Sequence, residues 1–263
     1  MTPPDHLLLG PERHGVTRYA AQVAEAVGAV TVRDPAGRPR LHVHLTDGLL
    51  GDLGVEVIEA TATTVTLHDV PQPTDGAARF ARRAEVYRRV VEAARGVVCN
   101  SEHERDALLA LGARPSSPVR VVPLPVVPVP LPARWDEDDP VVALLGFVYP
   151  GKGHAEALWA VAEVGRGARV VALGDVADGH DRDVADLHDL ARDLGVGFEV
   201  TGHLDDAELV RRAVGVTVPV AAHRNVSASG SINSWLAARR RPLVLASRYT
   251  CEMAALRPGT TTV

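Results

Sequence analysis

No run of apolar residues in this chain approaches the ~20 that a helix needs to cross a bilayer, so a protein that spans a membrane by helices is not expected. Cysteine is scarce. Cys99 and Cys251 stand far apart, which argues against both a disulfide framework and a zinc cluster and fits a reducing, cytoplasmic setting. Basic charge is not in excess either: 28 Lys and Arg face 33 Asp and Glu, for a net charge of −5. Nucleic-acid binding calls for dense basic patches, so no nucleic-acid partner is expected. The opening MTPPDHLLLG carries an acid and only a short apolar stretch, unlike a secretory signal. What remains is an ordinary globular composition, 46% hydrophobic and 23% charged. Its 263 residues suit one large domain or two small ones.

Short apolar runs alternate with helical patterns along the first half. HLLL (6–9), AVTVR (29–33), LHVHL (41–45), TTVTLHDV (63–70), GVVCN (96–100) and VRVVPL (119–124) read as strands. Residues 15–28 read as a helix with Val16, Tyr19, Ala20, Val23 and Val27 on one face. Residues 78–95 read as a helix whose basic outer face holds Arg79, Arg82, Arg83, Arg88, Arg89 and Arg95. That face is either solvated and balanced by Glu85 and Glu92, or a peripheral contact with anionic lipid at a membrane. Residues 101–112 read as a helix opened by a Ser101–Glu104 capping box.

VPVPLPARWDEDDP (127–140) interrupts this order. Its alternating prolines prevent helix and remove ladder donors, so it reads as a stiff extended linker. The domains expected are therefore 1–126, a linker at 127–140, and 141–263. The second half repeats the strand–helix order, from VVALLG (141–146) to RPLVLAS (241–247). Alternation of this kind implies parallel sheets covered on both faces, hence two doubly wound α/β domains. Ligands in such sheets bind beyond the carboxyl ends of the strands, and the cleft between the domains is the expected site. The final GTTTV reads as the start of a further strand, with closing elements missing or shortened.

The loops at strand ends carry the candidate chemistry. GFVYPGKGH (146–154) falls one residue short of a P-loop, because Gly153 stands where that loop needs Ser or Thr to hold Mg²⁺. What survives is Lys152 between glycines at a helix start, an ammonium able to neutralise a diphosphate without a metal and to stabilise the charge on a leaving diphosphate. HRNVSASGSINSW (223–235) sets Ser229, Gly230 and Ser231 at another helix start, with Arg224 nearby. This is either a second anion nest or a set of helix caps. In GPERHGV (10–16), Gly15 lets a ligand approach free backbone N–H groups, unless the segment is a plain strand–helix turn. His68 and Asp69 end a central strand, where His68 could orient an acceptor hydroxyl or stabilise developing charge; a solvated strand end is the alternative. His42 and His44 share a strand face, but no third metal ligand is evident, so packing or cleft lining is expected.

Seven segments in this order (GPERHGVTRYA, TLHDVPQP, VVCNSEHERDALL, VVPLPV, GFVYPGKGHAEAL, VTGHLDDAELV and RRPLVLAS) resemble the retaining glycosyltransferases of the two-domain GT-B fold, which include bacterial mannosyltransferases and sucrose synthase. The resemblance implies two Rossmann-like domains and transfer of a sugar, with retained configuration and no metal or other cofactor, from a nucleotide-diphosphate-sugar donor. The acceptor would be a small molecule, a glycan or a lipid. Catalytic roles would fall to His68 and Lys152. Donor contacts would come from Gly15, Lys152, Arg224, Ser229, Gly230 and Ser231, and acceptor contacts from His14, His68 and Asp69. Two departures stand out. Phe147 occupies the place of an arginine, and Ser227 and Trp235 occupy the places of two glutamates. A catalytically inactive GT-B-like binding module and a sugar-nucleotide epimerase are the alternatives.

Overall fold

The computed structural model describes residues 2–12, 14–50, 54–132, 140–165 and 167–263. They form two compact units, Met1–Leu124 and Pro125–Val263. Residues 127–132 have no regular secondary structure; 133–139, including Trp135 and its acidic neighbours, lie outside the described residues.

The first unit contains β1 (Asp5–Leu7), α1 (Gly15–Val27), β2 (Thr31–Val32), β3 (Arg40–Leu45), α2 (Asp47–Leu50), α3 (Gly54–Ala60), β4 (Ala62–Leu67), α4 (Ala77–Ala93), β5 (Gly96–Cys99), α5 (Glu102–Ala110) and β6 (Arg120–Val121). The strands form one parallel sheet in the order β2-β1-β3-β4-β5-β6. Leu41, Val43, Leu45, Val65, Leu67 and Val97 fill its core against Ile58, Tyr87, Val90 and Leu108. Burying each such side chain contributes roughly 1.5–3 kcal/mol.

Two helices differ from their expected faces. On α1 the buried residues are Thr17, Ala20 and Ala24, while Val27 is exposed. Small inward side chains let this helix sit close over β1 and β3. On α4 Arg83 points inward rather than joining the basic outer face. On α5 Ser101 Oγ caps the helix as expected by accepting from Glu104 N, while the Glu104 carboxylate accepts from Asn100 N, one residue before the cap.

The second unit contains β7 (Val141–Leu145), α6 (His154–Val164), β8 (Arg169–Leu173), α7 (Asp181–Leu194), β9 (Phe198–Val200), α8 (Asp206–Gly215), β10 (Val218–Ala221), α9 (Gly230–Ala237), β11 (Leu243–Val244) and α10 (Arg248–Leu256). Its parallel sheet runs β11-β10-β7-β8-β9. α10 was not expected from the sequence; Ser247 caps it by accepting from Thr250 N. The C-terminal segment behaves as expected: Thr262 bridges in parallel to Leu243, and Val244 N donates to Thr262 O at 2.8 Å. Among the described residues no helix is long and apolar enough to cross a membrane.

Candidate functional site

Strand order shows where a ligand should bind in the second unit. The chain runs from β7 outward to β8 and β9, then returns to place β10 and β11 on the other side of β7. Connections leave β7 and β10 in opposite directions, opening a crevice at their carboxyl ends. The loops at that crevice are 146–153 and 222–229, the two that carry Lys152, Arg224 and the serines.

The two loops interlock through backbone. Arg224 N donates to Gly151 O at 2.9 Å. Gly153 has φ +104°, and a Cβ there would lie 2.9 Å from both the Cβ and the carbonyl oxygen of Ala222. Only glycine fits such an approach. Lys152 is clamped beneath, 7% exposed, its Nζ 5.6 Å from the centre of the Tyr149 ring. No carboxylate among the described residues pairs with it. Burial lowers its pKa to about 8. It is also the only lysine among the 28 basic side chains of the chain.

Two histidines, unremarked in the sequence, complete this cradle. His154 begins α6 and is buried with neither ring nitrogen hydrogen-bonded among the described residues. Burial, then the nearby Lys152 charge, lowers its pKa to about 4. His223 is held by Ala221 O and by Ser231 Oγ at 3.2 Å each, and burial and Lys152 lower its pKa to about 3. The cradle therefore holds one ammonium and two imidazoles that stay neutral near pH 7. Their place beside KG and HRN was the available sequence signal.

The other expected residues of this unit are distributed unevenly. Ser229 is committed to the protein: its Oγ caps α9 by accepting from Ile232 N, and its N–H donates to Tyr249 Oη at 3.0 Å. The capping alternative describes this serine. Ser231 Oγ links Ser229 Oγ and His223 Nε2. Gly230 opens α9, and a Cβ there would meet no atom within 4 Å. The Arg224 guanidinium donates from Nε and Nη2 to Glu156 Oε1 in the first turn of α6.

In the first unit, His68 does not lie at a solvated strand end. It is buried in a row of imidazoles with His6, His42 and His44, beneath the edge of Tyr19. Asn100 Nδ2 donates to Leu67 O at 2.9 Å and to His68 Nδ1 at 3.1 Å. The proton of neutral His68 is therefore on Nε2, which donates to His44 Nδ1 at 3.2 Å. His44 then carries its proton on Nε2, which is buried without a partner among the described residues. Burial above all lowers His68 to about 3, His44 to about 2 and His42 to about 4. Both nitrogens of His42 bond to the hydroxyls of Thr64 and Thr66. Among the described residues no group of three or more His, Cys, Asp or Glu could hold a metal ion.

Asp69 follows with φ +53°, a conformation that L-residues seldom adopt. Arg83 secures it, donating from Nη2 to Asp69 O at 2.5 Å and Asp69 Oδ2 at 2.7 Å, from Nε to Asp47 at 2.9 Å, and from Nη1 to Asp75. Tyr87 Oη donates to His68 O at 2.5 Å. His14 caps α1, its Nδ1 accepting from Val16 N at 3.2 Å. Gly15 is the first residue of α1, and a Cβ there would meet no atom within 4 Å.

No protein-family profile matches the sequence, and no curated protein does. Solved structures do. HepE of Anabaena in complex with UDP and glucose superposes with TM-score 0.69 at 13% identity, over 94% of this chain and 74% of that one. Sucrose-phosphate synthase of Thermosynechococcus elongatus gives 0.65 at 17% identity, over 97% and 68%. An α,α-trehalose-phosphate synthase of Burkholderia xenovorans gives 0.61 at 8% identity, over 93% and 65%. This chain has the GT-B fold. Identities so low establish architecture, and the chemistry of this GT-B chain has to be argued from its own residues. Trp235, aligned with one of the expected glutamates, is wholly buried, and its Nε1 donates to Val220 O. That position belongs to the second core. Ser227 is buried, and Phe147 is exposed.

Proposed function

We propose that this chain is a glycosyltransferase that takes a sugar from a nucleotide-diphosphate donor and passes it to an acceptor hydroxyl. The observation that carries this reading is Lys152: a lone lysine, buried without a carboxylate partner among the described residues, at the switch point of a doubly wound sheet and beside the start of α6. An unpaired cation in that position suits an anion, and the helix start adds partial positive charge. In the transition state the departing diphosphate gains negative charge, so the Lys152 ammonium acts as a catalytic group and a binding group at once. Gly230 and the start of α9 extend the anion site, with Arg224 at its rim. The second unit holds the donor and the first the acceptor. In the first unit Gly15 offers N–H groups at the start of α1. His68 acts there as a positioning residue that fixes the 68–76 segment, with His14 and Asp69 near the acceptor.

The cations on hand support transfer without a metal, and the resemblance to retaining enzymes supports retention. HepE and its kin point to a UDP-sugar as the first donor to try. Isothermal titration of UDP-glucose and of UDP, with the wild type and Lys152→Met, tests the reading. Binding that weakens at least tenfold in the variant supports it, and equal binding overturns it. Product configuration by proton NMR, and turnover in excess EDTA, test retention and metal independence.

One observation favours a second reading. With Ser227 and Trp235 in place of two acids, the chain lacks carboxylates that its resemblance would set beside the donor sugar. A module that binds a nucleotide-sugar without turning it over would show donor affinity, no hydrolysis and no transfer.

A further inference from the structure

We infer that Glu156 is a specificity-determining residue of the donor site, whose carboxylate favours the intact nucleotide-sugar over the nucleoside diphosphate that transfer leaves behind. The inference rests on the transferase reading and adds to it a charge balance that Lys152 alone does not set.

Glu156 stands in the first turn of α6, the helix that begins two residues after Lys152. An acid there stabilises a helix start by itself. Its partner gives it a second role. Arg224 comes from the other loop of the crevice, and its Nε and Nη2 both donate to Glu156 Oε1, at 2.9 and 2.5 Å. Backbone fixes both ends of this bridge, since Arg224 N donates to Gly151 O and Gly153 packs on Ala222. Glu156 therefore links the wall that carries Lys152 to the wall that carries Arg224. Its charge is felt in the cradle: burial and Lys152 lower the pKa of His154, and Glu156 opposes them. Both bonds from Arg224 end on one oxygen, and the Glu156 side chain is 42% exposed, so the carboxylate still acts on a ligand.

Residues 146–157 and 222–231 carry three formal charges: Lys152 and Arg224 are positive, and Glu156 is negative. The diphosphate of a nucleotide-sugar is esterified at both ends and bears two negative charges. Breaking the bond to the sugar exposes a terminal phosphate, which gains a third charge above about pH 6. Beside a carboxylate each added negative charge costs Coulomb energy, modest at a wetted site and screened by salt. Glu156 therefore disfavours the spent nucleotide more than the donor and speeds its release. Without that acid, the two cations would favour the more highly charged product.

Calorimetric titration of the whole chain in EDTA at about pH 7.5 tests the inference with three probes: UDP-glucose, UDP, and UDP methylated on its terminal phosphate. Glu156→Gln keeps an oxygen for Arg224 and removes the charge. The ratio of UDP affinity to UDP-glucose affinity should rise at least about threefold in this variant. The methyl ester should follow UDP-glucose, and the change should shrink in high salt. Glu156→Ala should move the ratio in the same direction. A purely helix-stabilising role would change melting temperature and leave the ratio alone. An unmoved ratio, equal weakening of UDP and UDP-glucose, or a methyl ester that follows UDP would each overturn the inference, even with Lys152→Met impaired in binding. Absence of UDP-glucose binding in the wild type, or equal binding by Lys152→Met, would overturn the donor reading and this inference with it.

Discussion

A methyl group on Gly174 would lie 2.5 Å from the carbonyl oxygen of Gly146, and one on Gly146 would lie 3.3 Å from Lys152 Nζ. The end of β8 thus sets the path of the loop after β7, and that loop sets the height of the ammonium. Gly174→Ala should lower stability by about 1–3 kcal/mol through overpacking. It should also weaken UDP-glucose binding, although residue 174 need not touch the ligand. Chemical denaturation and calorimetry on one sample check both. Full affinity in a folded variant would sever the proposed link.

Nucleotide-sugar binding should depend on pH through Lys152. Its pKa of about 8 means that the ammonium is mostly present at pH 7 and mostly lost by pH 9. A bound diphosphate favours the charged form, so affinity should be highest below pH 8. It should fall by up to about tenfold per unit above it. Lys152→Met should bind weakly and show no such slope. Titrations from pH 6.5 to 9 with UDP-glucose, whose diphosphate keeps constant charge over that span, provide the check.

The buried imidazoles make the first unit acid-sensitive. In an unfolded chain each takes a proton near pH 6.5; in the native state His42, His44 and His68 resist until about 4, 2 and 3. Their folded pKa values are lowered, so their contribution to stability is complete above pH 6.5. It is lost as pH falls from there toward 4. The slope should approach about 1.4 kcal/mol per pH unit for each histidine. Denaturation between pH 7 and 4.5 should show it, and His42→Gln should flatten it by about one proton.

Arg83→Met should be costly. It leaves Asp47 and Asp75 facing one another without their cation and frees Asp69 from its left-handed conformation. Breaking a buried pair of this kind costs about 3–5 kcal/mol, and the exposure of Asp69 favours the lower end. A shift in urea midpoint measures it. A variant within about 1 kcal/mol of wild type would show that Arg83 does not hold the 68–76 segment.

The alternation of strand and helix was legible because parallel strands buried on both faces leave apolar runs such as VVALL and RVVAL. Lys152 was legible because glycines flank it at a helix start. Strand order was not, and with it went the reason why the loops after β7 and β10 meet. The Arg83 cluster was invisible because Asp47 comes from a segment well before Asp69 and Asp75, and one arginine among five on α4 carries no mark of its own. His6 and His44 lie on different strands and His68 just beyond the end of a third, so their row exists only after the sheet is assembled. α10 escaped because RYTCEMAAL is short and weakly patterned, and its main signal was the Ser247 cap.

With 27 arginines and a single lysine, the chain comes with a built-in spectroscopic probe. Reductive methylation with ¹³C-formaldehyde would tag one ε-amine besides the α-amine. Its chemical shift would follow the charge state of that group directly, ligand by ligand, without any engineered label.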